Sequence, residues 1–417
     1  MNPFRIAWLR HFVYALVALA LMLCLAEVGL RVYDSATGQV TRRELYDRGL
    51  TCKSWVVHHT LRPNQAFLVK HPDGEGKTRV VVNSLGLRGP EPAIPKPVGT
   101  FRILCLGDDR TFGRHVPEER TSVRLIADRL RGQVPFPVET INAGVPDYCP
   151  LLSYLQLRHQ LLSLQPDMIL LQWDMTDVAD DRLCRKHLVT STDRTPLSCG
   201  HPDLLFRKHD ALAGGTPCLL PVVLKRCAAG VFVDAVMDDE TRAIDSRRAR
   251  YAWLEDHPPD WSPYIAQALE PVASTARLAE ALSIPCVLVV VPAPWQVSRE
   301  ACADEACRER EGIGATAYFA STKPNDTLAE FCERQNIRSL DLTDLMRRQE
   351  NASALFLKSS PDLSELGHEL VAKAIAHAIR PLLPGHRGEE TPSSAEPPPA
   401  PDMASRQARL PRPPPLP

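Results

Sequence analysis

The chain has 417 residues, with 49 Lys and Arg against 50 Asp and Glu, a formal charge of −1 at pH 7, and 12 cysteines. Basic residues are spread along the sequence and form no patch, which excludes the electrostatic footprint of a nucleic-acid binder. The length leaves room for two average domains, or for one α/β domain with an insertion and two appendages.

At the N-terminus, Arg5 and Arg10 precede an apolar run from Phe12 to Ala26, FVYALVALALMLCLA, that continues past Glu27 to Leu30. As a helix it is long enough to cross the roughly 30 Å hydrocarbon core of a bilayer. No small-x-small cleavage site follows, so the run reads as an uncleaved signal anchor. Bulky Met22 and Leu23 ahead of Cys24 make a poor lipoprotein processing site. Residues 1–34 are therefore predicted to be a cytoplasmic flank and a single-pass membrane anchor, with the bulk of the chain periplasmic or otherwise extracytoplasmic.

Twelve cysteines suit an exported protein. Cys302 and Cys307 in ACADEAC are spaced to close a small loop, and Cys199, Cys218 and Cys227 share one irregular stretch where they could pair. Cys105 and Cys286 fall in strand-like runs and read as buried thiols. No cysteine pair has the tight spacing of a structural zinc site, and neither a metal nor another cofactor is predicted.

Residues 35–100 form a mixed segment ending in VVVNSLGLRGPEPAIPKPVG, read as a flap and Pro-rich connector laid on the main domain. From Phe101 the rhythm changes. Phe101–Leu106 is a buried-strand run, Thr121–Leu130 has helical spacing with Thr121 as cap, and Val138–Ile141 is a second strand ending in Asn142-Ala143-Gly144. A helix over Leu151–Leu164 and a strand over Met168–Trp173 follow. Residues 178–262 break the pattern with cysteines, prolines and charges and read as an insertion or cap. The core resumes with a helix within Tyr264–Leu282, strands Pro285–Val291 and Ile337–Leu342, and a closing helix Glu365–Leu383. Residues 384–417, rich in Pro and charge, are predicted to be a disordered tail. Strand and helix alternate at βαβ intervals, so a parallel sheet with helices on both faces is expected over 101–383.

The blocks LGDDRTFGRHVPEERTSVRLIADRL, VETINAGVPDY, LLQWDMTDVADD and SSPDLSELGHELVAKAI resemble, in order and spacing, those of the SGNH, or GDSL-like, hydrolases. VVVNSLGLRGPE, through Asn83, Gly86 and Arg88, is similar to the segment ahead of the domain in the membrane-anchored bacterial branch of that family. The resemblance implies a flavodoxin-like three-layer α/β/α fold and a hydrolase or acyltransferase acting on esters. It also implies a serine nucleophile, a histidine base oriented by an aspartate three residues earlier, and an oxyanion hole from two backbone amides and an asparagine.

Matched position by position, the serine place holds Asp109, the asparagine place Thr176, the aspartate place Ser359 and the histidine place Asp362. Asp108 remains, as do the backbone amides of Asp109 and Gly144. Three readings stay open. The site is a vacated pocket, bordered by Asp108 and Asp177, that binds or scaffolds an envelope glycan or acylated ligand. Alternatively Glu365 and His368, an acid-x-x-His step, supply a displaced esterase or acyltransferase site. Or Asp109, Asp362 and Asp177 converge into a carboxylate cluster that raises a pKa, recruits a hard cation or cleaves glycosides. His58 and His59 are assigned no chemistry, and nothing in the sequence sets an oligomeric state.

Overall fold

Short apolar runs between segments of helical spacing form strands covered on both faces, and three of them, Phe101–Gly107, Met168–Trp173 and Cys286–Val290, make the centre of one parallel sheet. The computed structural model describes residues 3–37, 50–74, 76–202, 204, 247–255 and 261–384. The predicted Pro-rich tail and the stretch holding Cys218 and Cys227 lie outside the described residues.

The N-terminal helix α1 (Pro3–Thr37) contains the one segment among the described residues long and apolar enough to cross a membrane, Arg10–Tyr33, none of which is buried against the rest of the chain. Two antiparallel pairs follow, β1 (Thr51–Lys53) with β2 (His59–Leu61) and β3 (Gln65–Lys70) with β4 (Lys77–Val82). Strand β4 alternates exposed and buried residues, and its inward Val80 and Val82 join Val57 and Leu61 against Phe112, Tyr148 and Leu151 of the main domain. Asp73, between β3 and β4, accepts the Lys358 and Ser359 amides at 2.7 Å each. The flap is thus packed and hydrogen-bonded onto the domain.

The main domain runs β5 (Phe101–Gly107), the single-turn helix α2 (Asp109–Phe112), α3 (Ser122–Leu130), β6 (Val138–Gly144), α4 (Pro150–His159), β7 (Met168–Trp173) and α5 (Asp177–Arg185). After a small antiparallel hairpin, β8 (Leu188–Thr190) with β9 (Pro196–Cys199), come α6 (Ser262–Ala281), β10 (Cys286–Val290), α7 (Lys323–Arg334), β11 (Arg338–Asp341) and α8 (Glu365–Ile379). The five parallel strands lie in the order β11-β10-β7-β5-β6. Numbered along the chain this is 2-1-3-4-5, the flavodoxin-like order, whose switch point lies at the carboxyl ends of the first and third strands, here β5 and β7.

Alternate residues of β5 feed opposite layers. Ile103 and Cys105 pack with Val123, Ile126, Val371 and Ile375 of α3 and α8, while Leu104 and Leu106 pack with Leu157, Leu269 and Val272 of α4 and α6. Thr121 and Ser364 cap α3 and α8 by accepting the Arg124 and Gly367 amides. Strand β7 has the bounds read from its sequence. The helix expected to reach Leu164 instead stops at His159 and continues as a 3-10 turn, Leu161–Leu164. Gln165 then adopts a left-handed conformation ahead of Pro166, whose ring disfavours helix at the residue before it. The closing helix likewise gives way at Arg380 to a 3-10 turn.

Gly144 marks where β6 passes beneath α2: a Cβ there would lie 2.5 Å from the Phe112 amide nitrogen. Gly144→Ala is expected to destabilise the protein by about 1–3 kcal/mol through overpacking. Gly314→Ala, whose Cβ would meet only the Ala317 methyl at 3.8 Å, serves as control. Urea unfolding followed by tryptophan fluorescence measures the difference, and equal midpoints for the two variants would refute this account of the glycine.

Candidate functional site

The turn that carries Asp109 is held from outside itself. Asp108 caps α2 by accepting the Arg110 amide at 2.9 Å, and Gly113 closes the helix with a φ of 72°. One turn cannot satisfy its own carbonyls. Arg88 supplies donors, with Nη1 on the Phe112 and Gly113 carbonyls and Nη2 on that of Val116 at 2.6 Å. Asn142 at the end of β6 donates to the Thr111 carbonyl at 3.0 Å. The Asn83 carboxamide oxygen accepts the Leu85 and Leu87 amides, each at 3.0 Å, and shapes the turn that presents Arg88.

Above this turn lies a cavity of about 880 Å³ whose lining includes Asp109, Arg114, His115, Asp147, Asp180 and Asp362. It opens at the carboxyl ends of β5 and β7, where the topology places a ligand crevice. Both positions at which the resemblance expects nucleophile and base are therefore in the cavity, and both are acids with a basic partner. Arg114 Nη2 lies 2.7 Å from Asp109 Oδ1, and His115 Nε2 lies 3.2 Å from Asp362 Oδ2. Ser360 also donates its hydroxyl to Asp362, at 2.8 Å.

The two carboxyls are displaced in opposite directions. Burial pushes Asp109 up to about 7 against the pull of Arg114, and the nearby charges of Asp362, Asp147 and Asp108 add to the rise. Burial acts the same way on Asp362, but the bond and charge of His115, the charge of Arg114 and the Ser360 hydroxyl outweigh it and hold this carboxyl at about 2.

The remaining expected residues fall elsewhere. The Gly144 amide donates to Asn142 Oδ1 at 3.1 Å and is turned away from the cavity. The amide facing Asp109 belongs to Asp147, 3.3 Å from Oδ2, at a φ of 59° that asparagine, aspartate and glycine tolerate best. Thr176 donates its hydroxyl to Asp174 Oδ1 at 2.7 Å, and Asp174 forms a buried ion pair with Arg110. Asp177 accepts the Asp174 amide at 2.8 Å, and burial pushes its carboxyl well up. Asp108 accepts from Gln172 at 3.1 Å. Asp108, Thr176 and Asp177 support the cavity floor and do not line it. Ser359 is engaged through its backbone, to Asp73 and to Arg310.

The displaced acid–histidine pair does not assemble. His368 is 1% exposed, and its Nδ1 accepts the Ser122 amide at 3.2 Å between α8 and α3. Burial and the charge of Arg88 hold the imidazole down at about 3. Glu365 sits on the outer surface beside Arg120. Helical spacing placed the two on one helix but could not say that they point apart.

Sequence reasoning passed over Arg114, His115 and Asp147, as well as Asp180 and Arg250, which pair at 2.9 Å in the cavity wall. The histidines assigned no chemistry, His58 and His59, also line the cavity, and His59 Nε2 meets the Pro146 carbonyl at 2.7 Å. Trp173 and Trp295 are fully buried and pack against Trp253 and Tyr251. Among the described residues no group of three or more His, Cys, Asp or Glu is placed to hold a metal ion.

A carboxyl raised above its unfolded value stabilises the fold below that value, and the contribution is lost as pH rises through the folded pKa. For Asp109 the window runs from about 4 to about 7. Between pH 5 and pH 8 the wild type should therefore lose stability relative to Asp109→Asn, by about 1–3 kcal/mol. Parallel urea midpoints for the two proteins at both pH values would show that Asp109 is not displaced upward.

No family model matches the chain, and no curated protein does. Among solved structures it is similar to a lipase/acylhydrolase from Enterococcus faecalis, at 15% identity and a TM-score of 0.37, over 69% of this chain and 100% of that one. It is also similar to a GDSL-like lipase from Bacteroides thetaiotaomicron (14%, TM-score 0.32, 68% and 89%). A third is a catalytic mutant of an acetylxylan esterase from Geobacillus stearothermophilus (13%, TM-score 0.32, 68% and 95%).

Proposed function

We propose that this chain is a membrane-anchored protein of SGNH-hydrolase type, facing outward from the cytoplasm, whose cleft binds an envelope glycan or acylated polymer without hydrolysing esters. The observation that carries the reading is the pairing of Asp109 with Arg114 and of Asp362 with His115. Ester hydrolysis by this fold needs a nucleophile in contact with an imidazole, and these roles act as a unit. Here the nucleophile's place is an acid paired with a guanidinium, and His115, the imidazole beside the position expected for the base, is engaged by the Asp362 carboxylate. Ser122 and His368, a hydroxyl and an imidazole in contact, are sealed between two helices away from the cavity. The mixed wall of Asp180, Arg250, Lys186, His187 and Arg310 offers donors and acceptors in the manner of a polyhydroxylated ligand site.

A second reading draws on the opposite displacement of the two cleft carboxyls. A pair pushed apart in this way is suited to acid–base work: Asp109 would protonate a leaving glycosidic oxygen while Asp362 deprotonates the attacking water.

Acetylated xylan is a probe that separates these readings. The detergent-solubilised full chain should be retained on the immobilised polymer, and Arg310→Glu should weaken retention about tenfold. Acetate release should stay at the buffer rate. Acetate release that disappears in Asp109→Ala would overturn the binding reading in favour of an esterase, and release of reducing ends that disappears in the same variant would establish the second.

A further inference from the structure

Three thiols from three separate elements meet behind the cleft wall. Cys149 precedes α4, Cys184 is next to last in α5, and Cys199 ends β9. They are 1%, 7% and 0% exposed. Cys149, Cys184 and Cys199 belong to one buried cluster in which the Cys184 thiol interacts with the other two, and Cys199 Sγ lies 3.2 Å from the Cys184 carbonyl oxygen. Cys184 alone of the three lines the cavity. An oxidant entering the cleft therefore meets Cys184 before either of the other two thiols.

We propose that Cys184 is the centre of a disulfide site, bonded to one of the two thiols it touches, Cys199 or Cys149. Formation needs a disulfide donor, for which a small glutathione-type disulfide suffices. The neighbouring Cys149 and Cys199 thiols and burial disfavour the Cys184 thiolate, so the step is slow at neutral pH; once formed, the thiolate attacks one donor sulfur, the donor bond breaks, and one thiol leaves. A neighbouring protein thiolate then attacks the Cys184 sulfur and expels the second donor thiol. Two protons and two electrons pass to the donor, and one protein disulfide forms. The third thiol stays within reach of the same sulfur, so the bond can move from one side of Cys184 to the other without further oxidation.

The two pairings fix different walls of the cleft. Bonding to Cys199 ties α5 to the hairpin on which the flap rests, where the Cys199 amide meets the Val56 carbonyl at 2.7 Å and the His201 amide meets that of Ser54 at 2.9 Å. Bonding to Cys149 ties α5 to the segment carrying Asp147, whose amide faces Asp109. Pairing of Cys199 with Cys218 or Cys227, open on the sequence alone, competes with this assignment.

For oxidation in the cell the proposal rests on the outward orientation given above, and the test separates the two. The full chain is isolated in detergent without reductant, or reduced and then exposed to oxidised glutathione. Each sample is denatured, alkylated and peptide-mapped before and after reduction. In the glutathione arm, protection of Cys184 until reduction, with a peptide joining it to Cys199, to Cys149 or to each in part, supports the site. Cys184 alkylated equally before and after reduction, or joined to Cys52, Cys218 or Cys227, overturns it. Protection in the glutathione arm but not in the isolated protein supports the thiol site and counts against outward orientation. Cys184→Ser should leave Cys199 fully open to alkylation, and a Cys199 still protected in that variant would refute Cys184 as the centre.

Discussion

A helix of one turn has more unsatisfied backbone than it can bond internally, and the architecture around the cleft follows from holding α2 in place. Arg88 reaches it from the flap side and Asn142 from the end of β6. Arg88 is 3% exposed and its guanidinium also lies over the Phe112 ring, 5.1 Å from the centroid. The flap is for this reason part of the site and not an ornament on it. The loop it clamps, Gly113–Val116, delivers Arg114 and His115 to the cavity.

Those two consecutive basic residues decide the electrostatics. Ionisable groups this little exposed carry a charge stably only when paired. Asp109 is 22% exposed against 34% for Arg114, and Asp362 17% against 12% for His115, so both pairs sit at the boundary between solvent and interior. Deeper down, Arg110 and Asp174 form a second tier at 4% and 2%. Thr176, in the place where the resemblance puts an asparagine, serves that lower tier through its hydroxyl. The floor is thus held from below while the upper tier borders the open cavity.

Much of the fold was legible because it depends on local pattern. Strands such as Met168–Trp173 are apolar at nearly every position and sit between helices of recognisable period, which forces a covered parallel sheet. Block order then brought Asp109 and Asp362 to one crevice. The site's partners were not legible, because they depend on contacts across the fold. His115 meets an acid in a loop after the last strand, and Asp147 offers its amide only because the backbone turns into the left-handed region there. Gly144 was assigned an oxyanion role from its motif, whereas its missing side chain serves the close passage of β6 under α2. His368 shows the limit of helical spacing: periodicity identified its helix, and packing aimed its ring at Ser122.

The paired arrangement also constrains how such a cleft can change over generations. A serine at 109 alone leaves Arg114 beside a hydroxyl in place of its carboxyl partner, and a histidine at 362 alone replaces the acid that His115 meets. Either change alone removes one of the two acid–base pairs and leaves the other in place. The clamp from Arg88 and Asn142 meanwhile keeps the scaffold intact whatever side chains it displays. Substitutions in the upper tier therefore change what the cavity displays without loosening the turn beneath it.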